Sequence, residues 1–209
     1  MKRIFNFISE TGKLKGKQRR GWVMHGIKNS ETTAEHTFHL ALLVWTLGRK
    51  KKKFNVDRAI KMALVHDLCE VYAKDITPYD PLLPDDPKKA REVLKKWPEF
   101  TPEIKKKKEI DKYQMEVEGL DKVLSGLPLD IAKEMKNIWL EYEKKTSSEA
   151  RFVKQADKMI NFLQGIEYWK KKGKIKHKLW VRWIKEIIDD PELLDFLKEI
   201  EDNLISEKN

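Results

Sequence analysis

His66 and Asp67 stand side by side in ALVHDLCEVYAKDIT, residues 63–77, a run that otherwise has the pattern of an apolar helix. Asp67 falls four residues after Ala63 and seven after Ile60, which on a 3.6-residue helix places it on their face. A carboxylate in a core position must be neutralised, paired with a cation or bound to a metal, because an isolated buried charge is prohibitively unfavourable. Two other stretches offer partners. His36 precedes Leu40, Leu43 and Leu47 at helical spacing, and Asp157 lies between Val153 and Ile160 at the edge of a stripe of Ala156, Ile160 and Leu163. Together they make two imidazoles and two carboxylates, a mixed nitrogen and oxygen set suited to divalent Mn, Fe, Co, Ni or Zn. Each residue alone is more often a hydrogen-bonded core position than a ligand, and the metal reading rests on their conjunction.

Glu70 follows His66 by four residues and Asp67 by three, so a continuing helix brings it to the same side one turn on. A proton donor or water-orienting carboxylate is needed there beside an activated nucleophile; the structural alternative is an ion pair with Lys74. Asp75 and Thr77 follow at the helix exit, where they can meet a ligand's hydroxyl groups or cap the turn. Glu35 is explained by a helix cap, Cys69 by a small buried hydrophobe, and His39 by a place behind the site or in the core.

The elements that position these residues are all helical in pattern, and no alternating run bounded by turn residues marks a strand. A short amphipathic helix over residues 2–10 leads into the basic loop GKLKGKQRRGWVMHGIKNSE. Thr32 and Glu35 have capping-box spacing ahead of FHLALLVWTLG, whose end Gly48 marks. The helix carrying His66 and Asp67 is entered near Asn55, runs through Val56, Ile60, Ala63, Leu64, Leu68 and Val71, and stops before the proline-rich stretch 77–87. Helical pattern resumes near Lys88, breaks at Pro98 and Pro102 and runs to about Ser125; another helix covers 129–145. TSSE, residues 146–149, has a second capping-box spacing before ARFVKQADKMINFLQGIEYW, and segments near 179–188 and 192–204 complete the chain. With 209 residues, no linker and no repeat, a single all-α domain is expected.

Composition narrows the class. Cys69 is the single cysteine, and no window carries the roughly 18 apolar residues of a membrane span, so a cytoplasmic protein is expected. A net charge of +10 invites a nucleic-acid reading. The lysines, however, gather in short runs interspersed with glutamate, as on solvated helix faces, which disfavours a nucleic-acid footprint; an anionic substrate is compatible with either reading.

The order His36, His66 with Asp67, then Asp157, all on helices, resembles the HD-domain metal-dependent phosphohydrolase superfamily. RRGW (19–22), TTAEHTFHLALL (32–43), ALVHDLCEVYAKDITP (63–78) and SSEARFVKQADKM (147–159) are similar to its 5′-deoxynucleotidase branch. The resemblance implies a compact helical HD fold over 1–209, its core at about 19–170 and its C-terminal helices, 178–206, packed on that core. It implies a homodimer that removes phosphate from deoxyribonucleoside 5′-monophosphates. It places metal ligation on His36, His66, Asp67 and Asp157, a catalytic role on Glu70 and a sugar contact on Asp75. Trp22 matches the tryptophan that lines the sugar pocket and helps exclude a 2′-hydroxyl. Arg19 and Arg20 both precede Gly21, and either can match the phosphate-binding arginine. Two-metal HD enzymes use further histidines before the last aspartate; none lies between His66 and His177, so one ion (Co, Mn, Ni, Fe, Zn or Mg) is expected. The rival readings are another phosphoester, such as a cyclic nucleotide, a nucleoside triphosphate or a guanosine polyphosphate, and a basic nucleic-acid-binding helical module.

Overall fold

A computed structural model describes residues 1–75, 102–173 and 177–205, with isolated residues between 84 and 93. The described residues contain α1 (Lys2–Thr11), α2 (Arg20–Met24), α3 (Thr33–Gly48), α4 (Val56–Val65), α5 (Pro102–Leu124), α6 (Leu129–Lys144), α7 (Ser148–Lys172), α8 (His177–Ile187) and α9 (Pro191–Ile200). Single 3-10 turns cover Gly12–Gly16 and Leu68–Val71. Among the described residues the only extended pairing is one antiparallel bridge, Gln18 with Thr32. The all-α expectation holds. No described helix is long and apolar enough to cross a membrane.

Local chemistry sets the helix ends. Asn55 caps α4, its side chain accepting from the Arg58 N–H at 2.9 Å. Ser147, not Thr146, caps α7 by accepting from the Ala150 N–H at 3.1 Å. Glu149 therefore does not close a capping box; its Oε1 accepts from the Asn55 N–H at 2.8 Å. Gly173 ends α7 in the left-handed region at φ 62°, where a side chain would be strained. Within the loop expected at 12–31, residues 20–24 form the short helix α2.

The helix expected to run from Asn55 through Val71 is broken. α4 ends at Val65, and Asp67 sits at φ −108°, ψ 14°, outside helical geometry, before the Leu68–Val71 turn. Its buried face is Ala59, Met62 and Ala63, a stripe that His66 continues, while Leu64 is exposed. Of the face on which Asp67 follows Ile60 and Ala63, Ala63 is buried, whereas Ile60 and Asp67 are half-buried. His39, expected behind the site or in the core, is exposed and lies against Phe38, because α3 buries the side defined by His36, Leu40, Leu43 and Val44.

Packing divides the chain into two compact units, Met1–Ala34 with Asp67–Lys136, and Glu35–His66 with Asn137–Asn209. In the first, α5 packs on the Leu68–Val71 turn and α1 packs on both. In the second, α4, α8 and α9 all pack on α7, whose Phe152, Val153, Ala156, Met159, Phe162 and Ile166 are almost fully buried. Lys51 ties the segment after α3 to the start of α9, donating to Asp190 Oδ2 at 2.6 Å and Glu192 Oε2 at 2.9 Å.

Candidate metal centre and acidic cluster

The second unit holds three of the four expected metal ligands. α3 carries His36, completely buried, and α7 carries Asp157, 4% exposed. His36 Nε2 and Asp157 Oδ1 are 3.0 Å apart. That is a hydrogen-bond distance, and also roughly the separation of two adjacent ligands each about 2.1 Å from one ion. His66 caps the end of α4 with its ring centroid 5.5 Å from that of His36. Its Nδ1 lies 2.8 Å from the Ala63 carbonyl oxygen, a contact only a protonated Nδ1 can make. The Nε2 of neutral His66 then carries the lone pair, the form in which imidazole binds metal. Trp139, fully buried, donates its indole N–H to the His66 carbonyl at 3.0 Å, and Tyr142 packs edge-on against the ring at 5.6 Å.

Burial pushes the Asp157 carboxyl up, but Lys158, at 2.7 Å from Oδ2, and His36 outweigh it and hold the group well below the usual carboxylate range. Asn161 donates to Asp157 Oδ1 at 3.1 Å. A buried, ionised carboxylate beside two imidazoles is a donor set that fits a divalent cation.

The first unit begins its second segment at Asp67, the next residue in the chain after His66. Arg19 Nη1 donates to Asp67 Oδ2 at 2.5 Å and lies 3.8 Å from Glu70 Oε1. Glu70 is 6% exposed, and its Oε2 accepts from the buried Thr33 hydroxyl at 2.9 Å. Burial, Asp67 and Asp75 push the Glu70 carboxyl up to about 8, against the opposing pull of Arg19 and Thr33. The pair expected with Lys74 is replaced, because the helix that would supply that spacing has ended. Arg20 uses its backbone N–H, which donates to Asp75 Oδ2 at 2.7 Å. Trp22 is 3% exposed and donates its indole N–H to Glu31 Oε2 at 3.1 Å. Thr77 lies outside the described residues.

The first unit thus brings Arg19, Asp67 and Glu70 together, and the second His36, His66 and Asp157. Sequence reasoning missed Glu31, which holds Trp22 and whose carbonyl accepts from the Arg19 N–H at 3.0 Å, and it missed Thr33 and Lys17. A glutamate inside the NSETT loop and a threonine at a helix start each have an ordinary local explanation, and no spacing rule marks either.

The HD domain family profile matches residues 11–188. The chain belongs to the HD-domain family. This HD-domain chain is 31% identical to human 5′-deoxynucleotidase HDDC2 over 79% of its own length and 68% of the relative's. It is 30% identical to the Dictyostelium discoideum 5′-deoxynucleotidase HDDC2, over 86% and 84% of the two chains. With the Saccharomyces cerevisiae 5′-deoxynucleotidase YGK1 it shares 32% identity over 88% and 75%. Among solved structures it is similar to a Pyrococcus horikoshii OT3 protein at 25% identity and TM-score 0.62, covering 94% of this chain and 97% of the other. A predicted metal-dependent phosphohydrolase from Magnetospirillum magnetotacticum MS-1 shares the HD-domain chain's fold at TM-score 0.64 and 22% identity, over 98% and 94%.

Proposed function

We infer that this HD-domain chain is a metal-dependent phosphohydrolase that removes phosphate from deoxyribonucleoside 5′-monophosphates. The observation that carries the reading is the buried His36–Asp157 contact beside an Nδ1-anchored His66, in a chain whose curated relatives are named 5′-deoxynucleotidases. In this reading His36, His66, Asp67 and Asp157 hold one divalent ion, with nitrogen and oxygen donors that suit Mn, Fe, Co, Ni or Zn. The chemistry such an ion supplies is charge neutralisation at the phosphoryl group and activation of water.

The remaining roles fall to the chain's own side chains. Arg19, only 15% exposed as a side chain, presents the planar guanidinium that meets phosphate oxygens in a bidentate way. Glu70 exchanges a proton with the reacting oxygens; a carboxyl pushed to about 8 is matched to acid–base work near neutral pH. Trp22, its indole N–H committed to Glu31, offers an apolar wall to the sugar and disfavours a 2′-hydroxyl. Asp75, and Thr77 further on, contact the sugar hydroxyls. The stripe of Phe38, Leu42 and Trp45 on α3, each at least 41% exposed, supports association as a homodimer, which light scattering of the purified protein tests.

The deciding experiment strips the protein of metal and measures phosphate release from paired ribo- and deoxyribonucleoside monophosphates, adding back Mn, Co, Ni, Fe, Zn or Mg one at a time. Release that requires an ion and favours the deoxy member of each pair is expected. Equal release without any ion, or turnover confined to a cyclic nucleotide, a triphosphate or a guanosine polyphosphate, would overturn the reading.

A further inference from the structure

We propose that Lys17 and Thr33 are positioning residues that together fix both the backbone and the side chain of Glu70. The proposal rests on the reading of Glu70 as the proton-exchanging group.

Glu70 is carried on a poor support. It sits in one 3-10 turn, Leu68–Val71, entered through the non-helical Asp67 and left through Tyr72 at φ −121°, ψ −33°. A single 3-10 turn has weak hydrogen-bond geometry, and its terminal carbonyls find no partner inside it. Lys17 supplies one. Its Nζ donates to the Glu70 carbonyl at 2.5 Å and to the Ala73 carbonyl at 2.6 Å. One ammonium thereby clamps the turn across its exit.

The side chain is fixed from the other direction. Thr33, with no exposed surface, directs its hydroxyl at Glu70 Oε2 at 2.9 Å. The same hydroxyl lies 3.4 Å from the Lys17 carbonyl. It has one proton to give, and the shorter contact to a carboxylate is the stronger bond. Thr33 is itself anchored, since its N–H donates to the Lys17 carbonyl at 2.8 Å. A closed circuit results: Lys17 Nζ to the Glu70 backbone, Glu70 Oε2 to Thr33, and Thr33 N–H back to Lys17. With Oε2 occupied by the threonine, Oε1, the oxygen facing Arg19 at 3.8 Å, is the atom that exchanges the proton.

Four variants test this: Thr33→Val, which keeps the β-branched shape and removes the hydroxyl; Thr33→Ser, which restores it; Lys17→Met; and Glu70→Gln. Thr33→Val and Lys17→Met are expected to lower kcat on the order of ten- to a hundredfold, the range of a buried acceptor left unpaired in the first and of a lost hydrogen bond from a charged group in the second. KM and the affinity for added Mn should stay within about threefold of wild type on the same scale. Thr33→Ser should recover most of kcat, and Thr33→Val should cost nothing further in a Glu70→Gln background. Hydrogen exchange of the metal-free protein gives a readout apart from turnover: Lys17→Met should speed exchange of the 68–73 amides. Wild-type kcat in Thr33→Val, or a Thr33→Val loss that persists in full in the Glu70→Gln background, overturns the proposal. A Glu70→Gln variant with wild-type kcat instead overturns the reading of Glu70 on which it rests. If Lys17→Met does not fold, the Thr33 series decides alone.

Discussion

The packing of α5 against the Leu68–Val71 turn depends on a missing side chain. A Cβ built on Gly119 would stand 2.6 Å from the Cys69 carbonyl oxygen, 3.0 Å from the Ala73 nitrogen and 3.1 Å from the Ala73 Cβ. Two of these neighbours are backbone and cannot rotate away, so Gly119→Ala must separate α5 from the turn. Reaching ordinary van der Waals contact at the carbonyl takes a shift of about 0.8 Å. Overpacking of this kind costs about 1–3 kcal/mol, and the better helix propensity of alanine returns about 1 kcal/mol. A net loss of about 1 kcal/mol, the middle of that balance, corresponds to a fall in Tm of about 2–4 °C for a chain of this size. The functional effect should be larger, because the displaced turn carries Glu70, and misplacing a reacting group by about 1 Å can cost on the order of a hundredfold in rate. Calorimetry and phosphate-release kinetics should be run beside Gly126→Ala, a control in which the added Cβ meets nothing within 4 Å. Wild-type Tm and kcat in Gly119→Ala would refute the reasoning. A lowered Tm with unchanged kcat would keep the packing argument and remove the claim that this turn positions Glu70.

The metal-free protein should be most stable in mildly acidic solution. Glu70 holds a proton in the folded state up to about pH 8 that the unfolded chain releases near its ordinary value of about 4.3, so stability falls as pH rises between those values. Asp157 has the opposite sign: its depressed folded pKa gives stability that is present above about pH 4 and lost as pH falls below it. Thermal midpoints across pH should show both limbs, and Glu70→Gln should flatten the upper one; an unchanged upper limb in that variant counts against the assignment. Trp139→Phe leaves the His66 carbonyl without the indole donor at 3.0 Å and should cost about 1–3 kcal/mol, read by denaturant unfolding, together with weaker Mn binding. Arg19→Lys should lower kcat/KM by at least about tenfold because a point charge replaces a bidentate fork, whereas Arg20→Lys should change it little, since the Asp75 contact uses the Arg20 backbone; equal effects would remove the distinction drawn between them.

How far the sequence could be read depends on whether a residue's partner lies within one helix or beyond it. Asn55 and Gly48 mark helix ends through local chemistry, and both stand where α4 begins and α3 ends. His36 and Asp157 were legible because each is a polar interruption of an apolar stripe, and the structure buries both. Ile60 and Asp67 show where periodicity misleads. Two stripes that share Ala63 fit the same segment, and the choice between them is made by tertiary packing, which buries Ala59, Met62, Ala63 and His66 and leaves Ile60 and Asp67 half-buried. Lys17 could not be singled out at all: it is one of 44 lysines and arginines, and its role depends on carbonyls 53 and 56 residues away. The break after Val65 links these cases. An unbroken helix would have set Glu70 against Lys74. With the helix ended, Glu70 instead takes its partners from Thr33 and Arg19, and residues that no local rule connects come to control its position.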